Sequence, residues 1–147
     1  MTVRQITSTQ AYSLLLSQKN SFLIDVRTTE EFDLVGIVES SSFDNRMILI
    51  PWQFYRSGQY NPDFLKTLQN KLTEFTPNSN PEIIKQYLLI FICRSSIRSG
   101  YACNYVNNFG FTNCYNISDG FEGTIDENHH RSKINGWKAS NLPWRQT

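Results

Sequence analysis

The sequence predicts an α/β fold with a largely parallel sheet, and two observations predict it. Short apolar runs alternate with helix-patterned stretches from Phe22 to Ile117, and such alternation builds parallel sheets through crossover helices. The run Tyr87 to Ile92 (YLLIFI) is apolar throughout, as a strand covered on both faces must be. At 147 residues the chain has the length of one domain and can bury a core without disulfide staples.

The elements follow in order. Ser8 or Thr9 is a candidate cap for a helix running to Ser17, with Ala11, Leu14 and Leu15 on its buried side. Phe22 to Val26 (FLIDV) reads as a buried strand, and Arg27 to Leu34 as a polar turn into a short helix. Met47 to Ile50 is a second strand, ended by Pro51. Asn61-Pro62 has the form of a cap with a first-turn proline. It opens a stripe of Phe64 or Leu65, Leu68, Leu72 and Phe75 at helical spacing. Thr76 to Pro81 is a loop by composition. Tyr87 to Ile92 is the central strand. Arg98 to Phe109 is read as a helix with Tyr101, Ala102, Tyr105, Val106 and Phe109 on one face, stopped by Gly110. Thr112 to Ile117 is the last strand.

Composition excludes several classes of function. Net charge is +1, which offers no electrostatic grip on nucleic acid or on an anionic membrane. The longest apolar run is far too short to span a bilayer, and the N-terminal stretch lacks the apolar centre of a secretory signal. Three cysteines, Cys93, Cys103 and Cys114, form neither a full disulfide framework nor a common zinc spacing. A cytoplasmic protein in a reducing compartment is the expectation. Oligomeric state is not legible.

Cys93 carries the chemistry. It ends the central strand, and the chain continues Arg94-Ser95-Ser96-Ile97-Arg98-Ser99-Gly100 into a helix. A cysteine at a strand-to-helix turn faces unpaired backbone N–H groups and the positive end of a helix dipole. Arg94 and Arg98 add two guanidinium groups. These favour thiolate, the nucleophilic form, and the same donors suit an anionic ligand. A buried cysteine that merely ends a strand would need neither the arginines nor the serines.

Three segments resemble the rhodanese family of sulfurtransferases: Ile24 to Phe32 (IDVRTTEEF), Cys93 to Ser99 (CRSSIRS) and Asn135 to Trp144 (NGWKASNLPW). The resemblance implies a rhodanese-like fold, with a central five-stranded, mostly parallel sheet and helices on both faces. It also implies a sulfur relay through a Cys93 persulfide, with no metal or organic cofactor required. A small anionic donor such as thiosulfate would supply the sulfur, and cyanide or a protein thiol would accept it. The backbone of Arg94, Ser95, Ser96, Ile97, Arg98 and Ser99 would cradle the persulfide, and Arg94 and Arg98 would hold the donor. A phosphatase class shares this fold, but there Cys and Arg stand one residue further apart than Cys93 and Arg98 do. A docking module without turnover is the other alternative.

Two departures from the family pattern stand out. No histidine follows Gly36. A polar insertion, Thr124 to Asn135, separates the Gly120–Gly123 stretch from Gly136-Trp137 and carries both histidines, His129 and His130. It reads as a surface loop in preference to a flap over the site. Asp25 and Arg27 are assigned to structure near the site, with Arg27 pairing Glu31. Arginine cannot serve as a base at ordinary pH. Cys103 and Cys114 are assigned to packing. Trp52, Trp137 and Trp144 are left between pocket rim and core.

Overall fold

The computed structural model describes residues 3–147. In chain order, its strands are β1 (Arg4–Ile6), β2 (Ser21–Asp25), β3 (Ile37–Val38), β4 (Met47–Leu49), β5 (Leu88–Ile92), β6 (Cys114–Ile117) and β7 (Trp144–Arg145). The helices are α1 (Ser8–Ser17), α2 (Thr29–Val35), α3 (Phe64–Phe75), α4 (Pro81–Ile84) and α5 (Ile97–Asn107). Five strands form one sheet in the order β1-β6-β5-β2-β4, and every pairing in it is parallel. The fold class is therefore the expected one. No helix among the described residues is long and apolar enough to cross a membrane.

The central pair explains the apolar runs. All five residues of β2 and all five of β5 are buried, because helices cover both faces. On one face, Phe22, Ile24, Leu89 and Phe91 pack against Phe64, Leu68 and Leu72 of α3 and Ala102 and Val106 of α5. On the other, Leu23, Ile90 and Ile92 pack against Ala11 and Leu15 of α1, with Phe43 and Trp137. The register sets Asp25 opposite Ile92, so the carboxyl ends of β2 and β5 are level. That edge is where parallel α/β sheets place their ligands.

Three expectations about the elements are corrected. The cap of α1 is Thr7, whose side chain accepts from the Gln10 N–H while the Gln10 side chain accepts from the Thr7 N–H. Ser8 lies inside the helix and is buried, bonded to Asp119. Helix α3 begins at Phe64, two residues beyond Pro62. Asn61 closes a turn instead, accepting from the Asp63 N–H and donating to the Pro51 carbonyl. On α5, Tyr101, Tyr105 and Phe109 are largely exposed, while Ser99, Ala102, Cys103 and Val106 are buried. Small side chains let the helix lie close to the sheet, and the rings are left at its outer edge. Tyr105 stacks edge-on against Trp52 at 5.4 Å.

Three further strands have no pattern in the sequence. Strand β1 has only three residues and pairs with β6 at the sheet edge. Strands β3 and β7 form a separate antiparallel ribbon, which ties the tail to the segment after α2. Gly110 is left-handed, with φ of 97°, but α5 already ends at Asn107 with Asn108 as a right-handed cap, so Gly110 turns the chain beyond the helix end.

Candidate active site

Cys93 directly follows β5 and is almost wholly buried. Its Sγ accepts a hydrogen bond from the Ser96 backbone N–H at 3.2 Å and one from the Ser99 hydroxyl at 3.2 Å. The loop turns back on its sulfur at Ser96, whose φ of 133° lies where side chains are strained. The Ser96 carbonyl accepts from the Gly100 N–H and the Asn116 amide, and the Ser99 hydroxyl lies within reach of it.

The loop is braced from its other side by Gly120–Gly123. The Phe121 N–H donates to the Cys93 carbonyl at 2.8 Å, and the Glu122 and Gly123 N–H groups donate to the Arg94 carbonyl. Gly120 has φ of 65°, and a Cβ there would overlap the Arg94 carbonyl. Only glycine permits this approach.

The two loop arginines have different surroundings. Arg98 makes a two-pronged ion pair with Glu31 of α2, at 2.5 and 2.9 Å. The hydrogen bond that Arg98 donates to Glu31 raises Arg98 above its ordinary pKa against the effect of burial. Burial pushes Glu31 up, but the bonds from Arg98 and Thr28 outweigh it and hold the carboxyl below its usual range. Arg94 is exposed, and among the described residues no ion pair engages it. Of the remaining loop residues, Ser95 is half-buried and Ile97 is exposed at the rim.

Beneath the loop lies Arg27, fully buried and paired with Asp25 at 2.7 Å. The expected Arg27–Glu31 pair does not form. Arg27 turns inward, donates to the Gly36 carbonyl and lies 4.2 Å from the centre of the Phe121 ring. Glu31 faces the other way because it closes a reciprocal cap with Thr28 at the start of α2. Burial pulls Arg27 down, and Asp25 more than restores it. The buried pair links the end of β2 to the Gly36 carbonyl after α2.

A cleft of about 520 Å³ opens beside the loop, walled by Arg94, Arg98 and Glu122 and by Phe54, Tyr55 and Arg56. The latter three lie on the turn between Gln53 and Tyr60, which bridge each other. Sequence patterning missed this segment because it has neither strand alternation nor a helical stripe. The insertion 124–135 contributes nothing to the cleft wall. It folds on itself, with the Thr124 N–H bonded to Asn135 and Arg131 to the Gly123 carbonyl, and both histidines are exposed. No cluster of potential metal ligands occurs among the described residues. Trp137 is core, its indole bonded to the Pro143 carbonyl, and Trp52 packs on Tyr60 and Phe64. Trp144 lies on the β3–β7 ribbon. Cys103 and Cys114 are both buried. The hydrogen bond between them and burial push the Cys114 thiol up.

This arrangement of a cysteine loop at the end of a central parallel strand is that of the rhodanese family, and the chain belongs to it. The rhodanese-like domain family matches residues 8–127. The chain is 39% identical over 145 residues to the RP600 homologue of Rickettsia rickettsii, covering 99% of each. It superposes on the crystal structure of Rv0390 from M. tuberculosis with a TM-score of 0.83 at 33% identity, over the full length of both chains. It shares the fold of the polysulfide-sulfur transferase homodimer of Wolinella succinogenes, with a TM-score of 0.63 at 16% identity, covering 99% of this chain and 80% of that one.

Proposed function

We propose that the protein is a sulfurtransferase that carries a sulfane sulfur as a persulfide on Cys93. The observation that carries this reading is the Cys93 sulfur itself, which receives donors from Ser96 and Ser99 beside a cleft that holds an unpaired arginine. In the first half-reaction the Cys93 thiolate attacks the outer sulfur of an anionic donor such as thiosulfate. A new S–S bond forms, and the donor's own S–S bond breaks with its electron pair leaving on sulfite. In the second, a cyanide or a protein thiolate attacks the terminal persulfide sulfur and the Cys93 thiolate is regenerated. Two half-reactions of this kind give ping-pong kinetics.

The geometry divides the arginines' work. Arg98 is occupied by Glu31, so it sets the loop's shape and contributes a partly neutralised charge. Arg94 and Arg56 line the same cleft as Arg98 but carry no carboxylate partner among the described residues, and they are proposed to hold the donor's anionic group. The same division disfavours phosphate hydrolysis, in which the loop arginine must grip the phosphate.

Intact mass measurement after incubation with thiosulfate tests the proposal. Wild type gains one sulfur atom and Cys93→Ser gains none. A wild-type protein with no adduct and no thiocyanate formation would leave a docking module as the better reading.

A further inference from the structure

Asn116, at the third position of β6, is buried, polar and absent from the scheme above. Its Nδ2 donates to the Gln5 Oε1 at 3.1 Å and to the Ser96 carbonyl at 3.1 Å. Both partners are acceptors, so the amide can have only one orientation. Its Oδ1 is thereby turned onto the Ser99 hydroxyl, at 2.5 Å. That hydroxyl has a single proton and three acceptors in reach: Asn116 Oδ1, the Ser96 carbonyl at 3.0 Å and Cys93 Sγ at 3.2 Å.

We infer that Asn116 is a positioning residue that competes with Cys93 for the Ser99 proton, so that this hydroxyl turns with each half-reaction. The inference rests on the sulfur relay proposed above. With a neutral thiol, the Ser99 proton lies on Asn116 Oδ1 and an oxygen lone pair faces the sulfur. When Sγ is a thiolate, the hydroxyl turns to donate to it. In the persulfide the charge moves to the terminal sulfur, and the proton returns to Asn116. The competition keeps the thiolate from being over-stabilised, which would blunt its attack on the donor.

The test is the pH profile of Cys93 alkylation by iodoacetamide in the intact protein, a readout that needs no turnover. The other charged groups around the loop are Arg98 with Glu31, Asp25 with Arg27, Arg94, Arg56, Glu122 and Lys138, and all stay in place. Asn116→Leu removes the competing acceptor, so the alkylation midpoint should fall and the rate at pH 7 should rise about threefold to tenfold, the worth of one hydrogen bond. Asn116→Asp keeps the acceptor and adds negative charge, so the midpoint should rise. In a Ser99→Ala background, Asn116→Leu should no longer lower it. Opposite signs for Leu and Asp, with the Leu shift cancelled by Ser99→Ala, support the inference. Shifts of the same sign, or a Leu effect that survives Ser99→Ala, overturn it. If the leucine variant does not fold, Asn116→Ala makes the same comparison. Failure here with sulfur loading intact would refute the hydroxyl switch alone, whereas absence of the sulfur adduct would refute the relay.

Discussion

At the residue scale, the site depends on backbone positions as much as on side chains. Ser96 adopts a φ of 133°, a conformation that costs a residue with a Cβ roughly 1–3 kcal/mol. Ser96→Gly removes that strain and adds unfolded-chain entropy of about 1 kcal/mol. The expected net gain is about 1 kcal/mol, read as a higher denaturation midpoint in urea. The backbone N–H on Cys93 Sγ is kept. Cys93 and its serines were legible because nucleophile, donors and arginines are contiguous in the chain. Asn116 and Gln5 were not, because they reach the loop from two other strands. The only local sign of Asn116 is an amide inside a buried strand.

At the scale of elements, the α2–α5 junction rests on the Glu31–Arg98 pair. Glu31 is held below its ordinary value of 4.5, so its stabilising contribution is complete above about pH 4.5 and erodes as the pH falls below it. Glu31→Gln should lose about 1 kcal/mol at pH 7, a modest value because the pair is partly solvated. The thermal midpoints of wild type and variant, measured from pH 7 down to pH 3, should converge. A gap that stays constant across that range would mean the lost stability came from the Thr28 cap instead. The chain order of strands and helices was readable from apolar runs and stripes. The wetted rings on α5 were not, because Tyr101, Tyr105 and Phe109 repeat at a spacing that suits either a buried or an outer face.

At the scale of the whole molecule, the cleft is assembled from segments far apart in the chain. Arg94 comes from the loop after β5 and Arg56 from the turn between Gln53 and Tyr60. If both hold the donor, Arg56→Ala should raise the KM for thiosulfate about tenfold, the loss of one charge-assisted hydrogen bond. The kcat should change little, because Cys93 and its donors are untouched. A fall in kcat at constant KM in steady-state cyanide assays would place Arg56 outside donor binding.

The sequence by itself determined the parallel α/β architecture, the central strand and the cysteine at its end. These are written in local patterns: apolar periodicity, breaker residues and a contiguous loop. Only the tertiary structure decided which arginine is free. Arg98 has no acidic residue near it in the chain, whereas Arg27 stands close to both Asp25 and Glu31. The place of Glu31 in the cap of α2 turns it toward α5, which gives Arg98 to Glu31 and Arg27 to Asp25. Arg94 and Arg56 are then left facing the cleft, because charge pairing is fixed by the packing of elements and not by distance along the chain.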